Sequence, residues 1–454
     1  MKKTDVLVIG SSAAGLVAAT TGKRVYGDKK FIVVTKAQQT LIPCGIPYIF
    51  GTVGSSDKDI LPAEMMFEKT GVETIHDEII QIDRDDKKVS LKNGEDIYYN
   101  KLVIGTGSTP TKPNWLKGVD LEGVYAVPKD KVYLDMMQEK LTECKKIVTI
   151  GAGFIGVEIS DELIKAGKDV TLIERLPHIL GLAFDKDISL KAEEILINRG
   201  VKLEAGVSVK EIIGENKVEG VLLEDGRIIE ADAVILSLGY KPNSVLAQQA
   251  GLAVNDGGFI MVDEYMRTAD SDVFAIGDCA EKRDFVTRKP SPVMLASTAC
   301  AEARIAGMNL FKLSAIKTFS GTISIFSTAL GDHGFGVAGL TEFIAEKENF
   351  DFVTGVFDGI DRHPGSFVDT HKQYVKLVVG RESGVILGGE VAGGLSVGDL
   401  INCIGFIIQN RMTINGILTS QVGTHPLMTA SPAGYPLIKA AENAYSNIIN
   451  ASKQ

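Results

Sequence analysis

One cysteine of the sequence lies in a setting suited to thiol chemistry. Cys44 stands between Pro43 and Gly45, just ahead of an apolar stretch that predicts a helix. The five cysteines are far apart and form no CxxC pair, which indicates neither a disulfide framework nor a zinc site. A thiol without a neighbouring thiol can form a mixed disulfide with a substrate, or a sulfenic acid with peroxide.

The reactivity of Cys44 depends on its pKa. A helix N-terminus would lower the pKa of the Cys44 thiol from roughly 8.5 towards about 7, and lowering it further would need a second electron-poor partner. The alternative is a buried and inert cysteine, which is the usual state of this residue type. We interpret the other four cysteines as structural: Cys144, Cys279, Cys300 and Cys403.

A strand, a glycine-rich turn and a helix follow one another twice in the chain. The two copies are VLVIGSSAAG from Val6 and IVTIGAGFIG from Ile147, so that Gly10 and Gly15 recur as Gly151 and Gly156. In such a unit the first glycine permits a tight turn, and the helix N-terminus faces a pyrophosphate. Two copies therefore predict two bound dinucleotides.

The second copy is complete, because Gly151, Gly153 and Gly156 satisfy GxGxxG and the next strand ends in Glu174. An acid at this spacing binds a ribose 2′-hydroxyl and repels a 2′-phosphate. The pattern favours NADH, while Arg175 leaves NADPH possible. The alternative is an ordinary tight turn of an α/β sheet.

The first copy carries Ser12 in place of the middle glycine, and its second strand ends in Thr35 rather than an acid. Two later segments, 101–110 and 272–281, look like companion parts of a flavin-binding domain. Asp278 follows a buried strand and a glycine, which suits a hydrogen bond to the ribityl chain of FAD. The alternative is a plain turn at Gly277 and Asp278.

The order of these patterns predicts an α/β protein with two nested Rossmann-type domains and a C-terminal α+β domain. Residues 1–112 and 240–315 are expected to form the FAD-binding domain, and residues 113–239 an inserted NAD(P)H-binding domain. Gly239 and Pro242 mark the return crossing. In residues 316–454, short β-rich runs precede an apolar helix near 395–410 and a last helix near 435–449.

Composition limits the classes of function. The 454 residues are 45% hydrophobic and 23% charged, as in ordinary globular proteins, and predict two to four domains. A formal net charge of −10 argues against a nucleic-acid or anionic membrane surface. Asp5 interrupts the first apolar run, which favours a buried strand over a signal peptide, and no run is long enough to predict a transmembrane helix. We expect a cytoplasmic protein.

Over essentially its whole length the chain resembles the pyridine nucleotide-disulfide oxidoreductase family. The resemblance rests on the stretches GSSAAG, TLIPCGIPYIFG, KLVIGTGSTP, GAGFIGVE, GYKPN, DVFAIGDCAE and AGLTE. The chain is similar to the single-cysteine branch, because no second cysteine follows Cys44 by four to five residues. That branch contains coenzyme A disulfide reductases, NADH-dependent persulfide reductases, and NADH oxidases and peroxidases. The resemblance implies bound FAD, use of NAD(P)H, and a homodimer formed through the C-terminal domain.

The family pattern assigns roles to residues of both glycine-rich turns and of the strands around them. The residues expected to bind FAD are Gly10, Ser12, Ala13, Ala14, Gly15, Thr35, Lys36, Thr106, Gly107, Gly277 and Asp278. Those expected to bind NADH are Gly151, Gly153, Phe154, Ile155, Gly156, Glu158, Glu174 and Gly239. Glu158 is expected to contact the nicotinamide carboxamide, with capping of its helix as the alternative. The expected reaction is ping-pong, in which NADH reduces FAD and the flavin then reduces a disulfide between Cys44 and the substrate.

The residues expected near the Cys44 sulfur indicate which electron acceptor is favoured. Oxidases and peroxidases of the family carry a histidine where Ala13 stands, so the resemblance favours a coenzyme A disulfide, a persulfide or a polysulfide. Lys23 and Arg24 at the end of the first helix are candidates for coenzyme A phosphates, or form a solvated helix end. An NADH oxidase that reduces dioxygen or peroxide is the first alternative. A flavoprotein that passes electrons to, or binds, a protein partner is the second.

Two histidines occupy places where the coenzyme A reductases carry tyrosines that reach the partner's cysteine. These are His363 and His425. We expect His363 at the substrate and His425 as the general acid for the leaving thiol, since histidine titrates near neutral pH. A plain loop histidine is the alternative. In two-cysteine reductases an acid follows the histidine that corresponds to His425, and here Ala430 stands in place of that acid.

Overall fold

A computed structural model describes residues 2–451. The first region of the chain forms a sheet with helices on it. Its elements are β1 (Lys2–Ile9), α1 (Ala13–Val25), β2 (Phe31–Thr35), α2 (Ala63–Thr70), β3 (Glu73–His76), β4 (Ile79–Asp83), β5 (Lys88–Leu91), β6 (Asp96–Ile104) and β7 (Ser108–Pro110). Val6 to Val8 of β1 are fully buried, as expected for a parallel strand covered on both faces.

The second region has its own parallel sheet. Its elements are β8 (Val124–Ala126), α3 (Lys131–Thr142), β9 (Lys146–Ile150), α4 (Phe154–Lys165), β10 (Asp169–Glu174), α5 (Lys186–Asn198), β11 (Lys202–Ala205), β12 (Val209–Ile213), β13 (Gly220–Leu223), β14 (Ile228–Glu230) and β15 (Ala233–Leu236). The parallel sheet has the order β11-β10-β9-β15-β8, and β12 to β14 form a separate antiparallel sheet.

The chain then returns to the first sheet. The returning elements are β16 (Tyr240–Pro242), α6 (Val245–Gln249), β17 (Val273–Ala275), β18 (Lys282–Arg283), β19 (Pro290–Ser291) and α7 (Ala296–Asn309). The outgoing β7 pairs with the incoming β16, and β17 joins β6 in the first sheet, whose order is β3-β2-β1-β6-β5-β4. Ile9, Ile104 and Ala275 lie in register, so the segments that follow these three strands meet at one edge of the sheet.

The last region is an antiparallel sheet with helices. Its elements are β20 (Phe326–Leu330), β21 (His333–Gly339), α8 (Glu342–Lys347), β22 (Phe352–Ile360), β23 (Lys372–Gly380), β24 (Ile386–Gly393), α9 (Val397–Gln409), α10 (Ile414–Leu418) and α11 (Pro436–Ala451). The strand order is β20-β21-β24-β23-β22. The two helices predicted from sequence near 395–410 and 435–449 are confirmed as α9 and α11.

The second region and the C-terminal region share a hydrophobic cluster. Phe154 at the start of α4 stacks on Phe326 of β20, with ring centroids 4.8 Å apart. The same cluster contains Ile188 of α5 and Phe335 of β21, both almost fully buried. The C-terminal sheet therefore packs directly against the second glycine-rich turn. None of the helices described within residues 2–451 has the length and apolar character needed to cross a membrane.

Candidate active site

The first glycine-rich turn is shaped by backbone contacts that leave no room for side chains. Gly10 has a φ of +99°, and a Cβ at Gly10 would lie 2.4 Å from the Gly105 carbonyl oxygen. A Cβ at Gly15 would lie 1.9 Å from the Gly10 carbonyl oxygen, so α1 begins tightly against the turn. Ser12 is the N-cap residue of α1, but its side chain makes no capping hydrogen bond. The first amides of α1 are therefore open to an anion, as a pyrophosphate site requires.

Ser11 ties this turn to the segment that carries Cys44. Its hydroxyl donates to Thr35 Oγ1 at 2.8 Å, and it lies 2.7 Å from Thr40 Oγ1. Thr35 also accepts a hydrogen bond from the Ala37 amide. Thr35 is buried, whereas Lys36 is exposed. The end of β2 is thus fastened to the first glycine-rich turn, and the residues that follow β2 lead to Cys44.

Cys44 lies in a tight turn at residues 42–45, where the Gly45 amide donates to the Ile42 carbonyl at 2.9 Å. A Cβ at Gly45 would lie 1.8 Å from Asp59 Oδ1, so glycine is required for the turn to pack against Asp59. Cys44 is an exposed, free cysteine. Its sulfur is accessible and held by a fixed backbone, as a thiol that reacts with a small molecule must be.

The prediction that a helix N-terminus lowers the pKa of Cys44 is wrong. The helix that follows is a five-residue 3-10 helix, Ile46–Phe50, which is too short for a substantial dipole. The protein atoms around the thiol raise the pKa of Cys44 by desolvation, and the Glu158 carboxyl raises it further. The Lys129 ammonium opposes both effects.

Asp278 lies where the sequence places it, at the end of the strand β17. Its Oδ2 accepts hydrogen bonds from Ser108 Oγ at 2.7 Å and from Lys129 Nζ at 2.5 Å. Although burial raises the pKa of the Asp278 carboxyl, the Lys129 ammonium outweighs that effect and holds it below its ordinary value. Lys129 is a site residue that the sequence interpretation missed, because only a single lysine after β8 marked it.

A buried acid supports the turn at Asp278. The Gly277 amide, at a φ of +73°, donates to Glu302 Oε2 at 2.7 Å. Lys282 Nζ donates to the carbonyls of Gly277 and Ala280 at 3.2 and 2.7 Å. Glu302 is fully buried, and burial raises the pKa of its carboxyl to about 7. These contacts fix the direction in which Asp278 leaves the turn.

The crossing between the first two regions brings further predicted residues together. Thr106 Oγ1 donates to the Asn243 carbonyl at 2.5 Å, and the Asn243 amide donates to the Gly107 carbonyl at 2.9 Å. Gly107 and Gly239 both have positive φ, and a Cβ at either would meet nothing within 4 Å. Both glycines therefore border open space at the edge where a cofactor is expected.

The second glycine-rich turn repeats the geometry of the first. A Cβ at Gly151 would lie 2.5 Å from the Ser237 carbonyl oxygen, and one at Gly156 would lie 1.9 Å from the Gly151 carbonyl oxygen. Gly153 is the N-cap of α4 and borders open space. Glu174 accepts hydrogen bonds from the Ala152 amide at 2.7 Å and from the Leu176 amide at 2.8 Å. The predicted ribose-binding acid therefore lies at this turn, as the spacing requires.

Glu158 does not cap α4, because it is the fifth residue of that helix and Gly153 is the N-cap. Its Oε1 accepts a hydrogen bond from Thr328 Oγ1 of β20 at 2.7 Å. Burial raises the pKa of the Glu158 carboxyl to about 7, against a lowering by the Thr328 and Tyr48 hydroxyls. Tyr48, which follows Cys44 in the 3-10 helix, and Thr328 were not identified from sequence. The carboxyl thus joins α4, the Cys44 segment and the C-terminal sheet.

The predicted substrate residues are placed in two separate locations. Lys23 Nζ donates to the carbonyls of Gly27 and Lys29 at 2.9 and 2.7 Å, and Arg24 is exposed, which favours the alternative of a helix end over a phosphate site. His363 Nδ1 lies 3.0 Å from the Thr429 carbonyl oxygen, so His363 packs against the exposed loop of His425. The approach of either histidine to Cys44 across a dimer stays a prediction.

Comparison with known proteins identifies the family. The family described as "Pyridine nucleotide-disulphide oxidoreductase" matches residues 4–303, and its dimerisation domain matches residues 325–433. This chain belongs to that family. Membership implies FAD and NAD(P)H as cofactors, and the matched dimerisation domain suggests a homodimer. The chain is therefore an NAD(P)H-dependent flavoprotein oxidoreductase.

Three similar proteins have related names. An "NADH oxidase" from Methanocaldococcus jannaschii is 30% identical over 98% of this chain and 99% of its own length. An "NAD(P)H coenzyme A polysulfide/persulfide reductase" from Pyrococcus horikoshii is 32% identical over 86% of this chain and 88% of its own length. The solved structure of an NAD-dependent persulfide reductase from A. fulgidus superposes with a TM-score of 0.90 at 30% identity, covering 98% of this chain and 84% of that one.

The residues present fit the two cofactors that the family carries. Both glycine-rich turns approach a carbonyl too closely for any Cβ, and no side chain caps the helix that follows either turn, because Ser12 makes no capping hydrogen bond and Gly153 has no side chain. FAD would lie along the first turn and reach Asp278, and the nicotinamide dinucleotide would lie along the second turn and reach Glu174. The role of each individual residue predicted to bind a cofactor stays a prediction, as do the domain boundaries.

Proposed function

We propose that this protein is an FAD-dependent NADH oxidoreductase that reduces a low-molecular-weight disulfide, persulfide or polysulfide of the coenzyme A type through Cys44. The observation that carries the proposal is the exposed free thiol of Cys44, fastened through Thr40 and Ser11 to the first glycine-rich turn. The Glu158, Lys129 and Asp278 charges act on the pKa of this thiol, which supports a location near the residues expected to hold the flavin.

Residues at the two glycine-rich turns have different binding roles. The open amides at the start of α1 bind a pyrophosphate, and Asp278 accepts a hydrogen bond from a sugar hydroxyl. The amides at the start of α4 and the Glu174 carboxylate bind the second dinucleotide, with NADH preferred over NADPH. Glu158 accepts a hydrogen bond from the nicotinamide carboxamide. When bound, FAD supplies two-electron transfer between the nicotinamide and the thiol.

Cys44 performs the substrate chemistry. Its thiolate attacks one sulfur of the substrate disulfide, forming a mixed disulfide and expelling the other half as a thiolate that takes up a proton. His425 of the partner subunit is the candidate proton donor. Because the surroundings raise the pKa of the free Cys44 thiol, we expect the oxidised flavin to be needed for a substantial thiolate fraction at neutral pH.

An NADH oxidase is the second candidate, because the Methanocaldococcus jannaschii relative bears that name. Anaerobic stopped-flow measurement decides between the two. The NADH-reduced protein is mixed with coenzyme A disulfide, a coenzyme A persulfide, polysulfide or dioxygen, and flavin reoxidation is followed. We expect reoxidation by one of the sulfur compounds to be faster than by dioxygen. Faster reoxidation by dioxygen would assign the protein as an oxidase.

A further inference from the structure

The segment that carries Cys44 packs against the second region of the chain, although it follows a strand of the first. We call residues 42–60 the thiol segment. Its buried Ile46, Ile49 and Phe50 belong to a hydrophobic cluster whose other members come chiefly from α3, α4 and the parallel sheet of the second region. Within residues 2–451, the core cluster of the first region contains none of these three residues. The second region therefore surrounds the segment on which the thiol depends.

Gln138 of α3 makes two hydrogen bonds to the backbone of the thiol segment. Its Nε2 donates to the Ile49 carbonyl at 2.8 Å, and its Oε1 accepts from the Ser56 amide at 3.3 Å. Lys131, at the start of the same helix, forms an ion pair with Asp57 at 2.7 Å. The helix α3 thus holds the segment at three points along its length.

Glu162 of α4 binds the thiol segment from a second helix. This carboxylate is almost fully buried, its Oε1 accepts from Thr52 Oγ1 at 3.0 Å, and its Oε2 accepts from the Thr52 amide. Lys165 Nζ lies 3.3 Å from Thr52 Oγ1 and forms an ion pair with the same carboxylate. A Cβ at Gly51 would lie 2.5 Å from the Glu162 carbonyl oxygen, so the segment touches the backbone of α4. The helix that begins at the second glycine-rich turn therefore also holds the thiol segment.

A run of backbone hydrogen bonds connects these contacts to Cys44. The Gly45 amide donates to the Ile42 carbonyl at 2.9 Å, and the Tyr48 amide donates to the Gly45 carbonyl at 3.0 Å. The Val53 amide then donates to the Tyr48 carbonyl at 2.9 Å. Cys44 is therefore joined to the anchored part of the segment by consecutive turns, and a change at the anchors is expected to reach the thiol.

We propose that Gln138 and Glu162 are positioning residues for Cys44, which fix the thiol relative to the flavin from the second region of the chain. A shift of a reacting group by about 1 Å lowers the rate of its reaction by up to about a hundredfold. Neither side chain belongs to a glycine-rich turn, so reduction of the flavin by NADH does not depend on them. The inference rests on the proposed function of Cys44.

The two half-reactions separate positioning from general damage. Gln138→Met removes both hydrogen bonds at nearly constant side-chain length, and Glu139→Met, exposed on the same helix, is the matched control. In anaerobic stopped-flow, we expect flavin reduction by NADH to stay within about twofold of the native rate in both variants. Flavin reoxidation by coenzyme A disulfide, or by polysulfide should the disulfide be inert, is expected to slow about tenfold in Gln138→Met alone. Reoxidation at the native rate, or equal slowing of both half-reactions, would overturn the inference.

Amide hydrogen exchange of the holoenzyme tests the same contacts without any electron acceptor. Gln138→Met and Glu162→Met each leave an amide of the thiol segment without its acceptor. Peptides that cover residues 45–57 are therefore expected to exchange about tenfold faster than in the native protein and in Glu139→Met. Exchange at the native rate in both variants would refute the positioning role.

Alkylation of the thiol completes the test. Loosening of the segment exposes Cys44 further, so its alkylation by iodoacetamide, followed by mass spectrometry, is expected to become about threefold faster in Gln138→Met. An unchanged alkylation rate would contradict the inference. Faster exchange and alkylation, together with a native protein that no sulfur compound reoxidises, would overturn the proposed function alone and leave the positioning of Cys44 in place.

Discussion

Two carboxylates with raised pKa join the second region of the chain to the C-terminal sheet, and their surroundings differ. Glu158 accepts a hydrogen bond from the Thr328 hydroxyl, the Tyr48 hydroxyl also lowers its pKa, and no cation is among the groups that act on it. Glu390 is fully buried beside Lys376, whose ammonium lies 2.8 Å from Asp185 Oδ2 and 2.6 Å from Glu342 Oε2. We call Asp185, Asp187, Glu342, Lys376 and Glu390 the lysine-centred cluster.

The presence of a cation distinguishes the two sites: Glu158 can titrate, whereas the lysine-centred cluster holds two regions of the chain together. Oxygens of Asp185, Asp187 and Glu390 lie within 4.8 Å of one another, but Lys376 already supplies a cation to them. Glu158, by contrast, has neutral hydrogen-bond donors, and its pKa of about 7 lets it change charge in the physiological range. Substitutions at the first junction are expected to change catalysis, and those in the cluster to change stability.

Replacement of Cys44 should give the largest effect, on catalysis alone. Cys44→Ser removes the nucleophile, so we expect kcat/KM for disulfide or persulfide to fall on the order of a thousandfold or more. The side chain is exposed, and therefore the thermal midpoint should stay within about 2 °C of the native value. Steady-state assays and a thermal melt measure both quantities. Cys403→Ser, an exposed thiol in α9, is the matched control and should keep full activity. Undiminished turnover by Cys44→Ser would remove the basis of the thiol mechanism.

Replacement of Lys376 should give the opposite result. Lys376→Met leaves Asp185 and Glu390 buried without their cation, and we expect the free energy of unfolding to fall by about 3 to 5 kcal/mol. The flavin-binding turns are built from other residues, so activity at low temperature should survive in the folded fraction. Urea unfolding followed by flavin release and by tryptophan fluorescence measures the change. A variant as stable as the native protein would show that the cluster contributes little.

Glu390→Gln tests the same cluster from the acidic side. The surroundings raise the pKa of Glu390 well above its usual value, by burial and by the nearby Asp185 charge. Stability that depends on the protonated form is present at low pH and lost as pH rises through the folded-state pKa. Glutamine keeps an acceptor for the Asp185 amide and cannot ionise. We therefore expect the variant to match the native stability below about pH 4, where glutamate is protonated in both states, and to exceed it by about 1 kcal/mol or more at pH 9, in urea unfolding. Lower stability at pH 9 would contradict this.

The sequence predicted best those parts of the molecule in which a residue packs closely against a backbone carbonyl. Gly10, Gly15, Gly151 and Gly156 are fixed by carbonyls that any Cβ would strike, so residue type reveals their role. Lys129, Tyr48 and Thr328 were missed because each reaches the site from a different region, and no local pattern relates them. The effect of Glu158 on the pKa of Cys44 was missed for the same reason, since Glu158 lies 114 positions further along the chain yet raises the pKa of the thiol.

Glu158→Gln should alter the pH dependence of NADH binding. Above pH 7 the native carboxyl is charged and accepts a stronger hydrogen bond from the carboxamide, by about 1 kcal/mol, so KM for NADH should fall about three- to fourfold between pH 6 and pH 8. The glutamine variant cannot ionise and should show a flat profile. Glu390→Gln is the matched control and should keep the native profile. A transition near pH 7 that persists in Glu158→Gln would assign it to another group.

Loss of the Thr328 hydroxyl should give the smallest effect and a direct measure of how neutral donors act on Glu158. Thr328→Val removes a donor that stabilises the charged carboxylate, so the pKa of Glu158 should rise and the NADH transition should move upward by less than about one pH unit. Thr149→Val is the control, because the Thr149 hydroxyl is buried without a hydrogen-bond partner and its removal should move nothing. A shift to lower pH in Thr328→Val would mean that the hydroxyl accepts a hydrogen bond from a protonated Glu158. In that case Glu158 would resemble Glu390, and the distinction between the two junctions would rest on Lys376 alone.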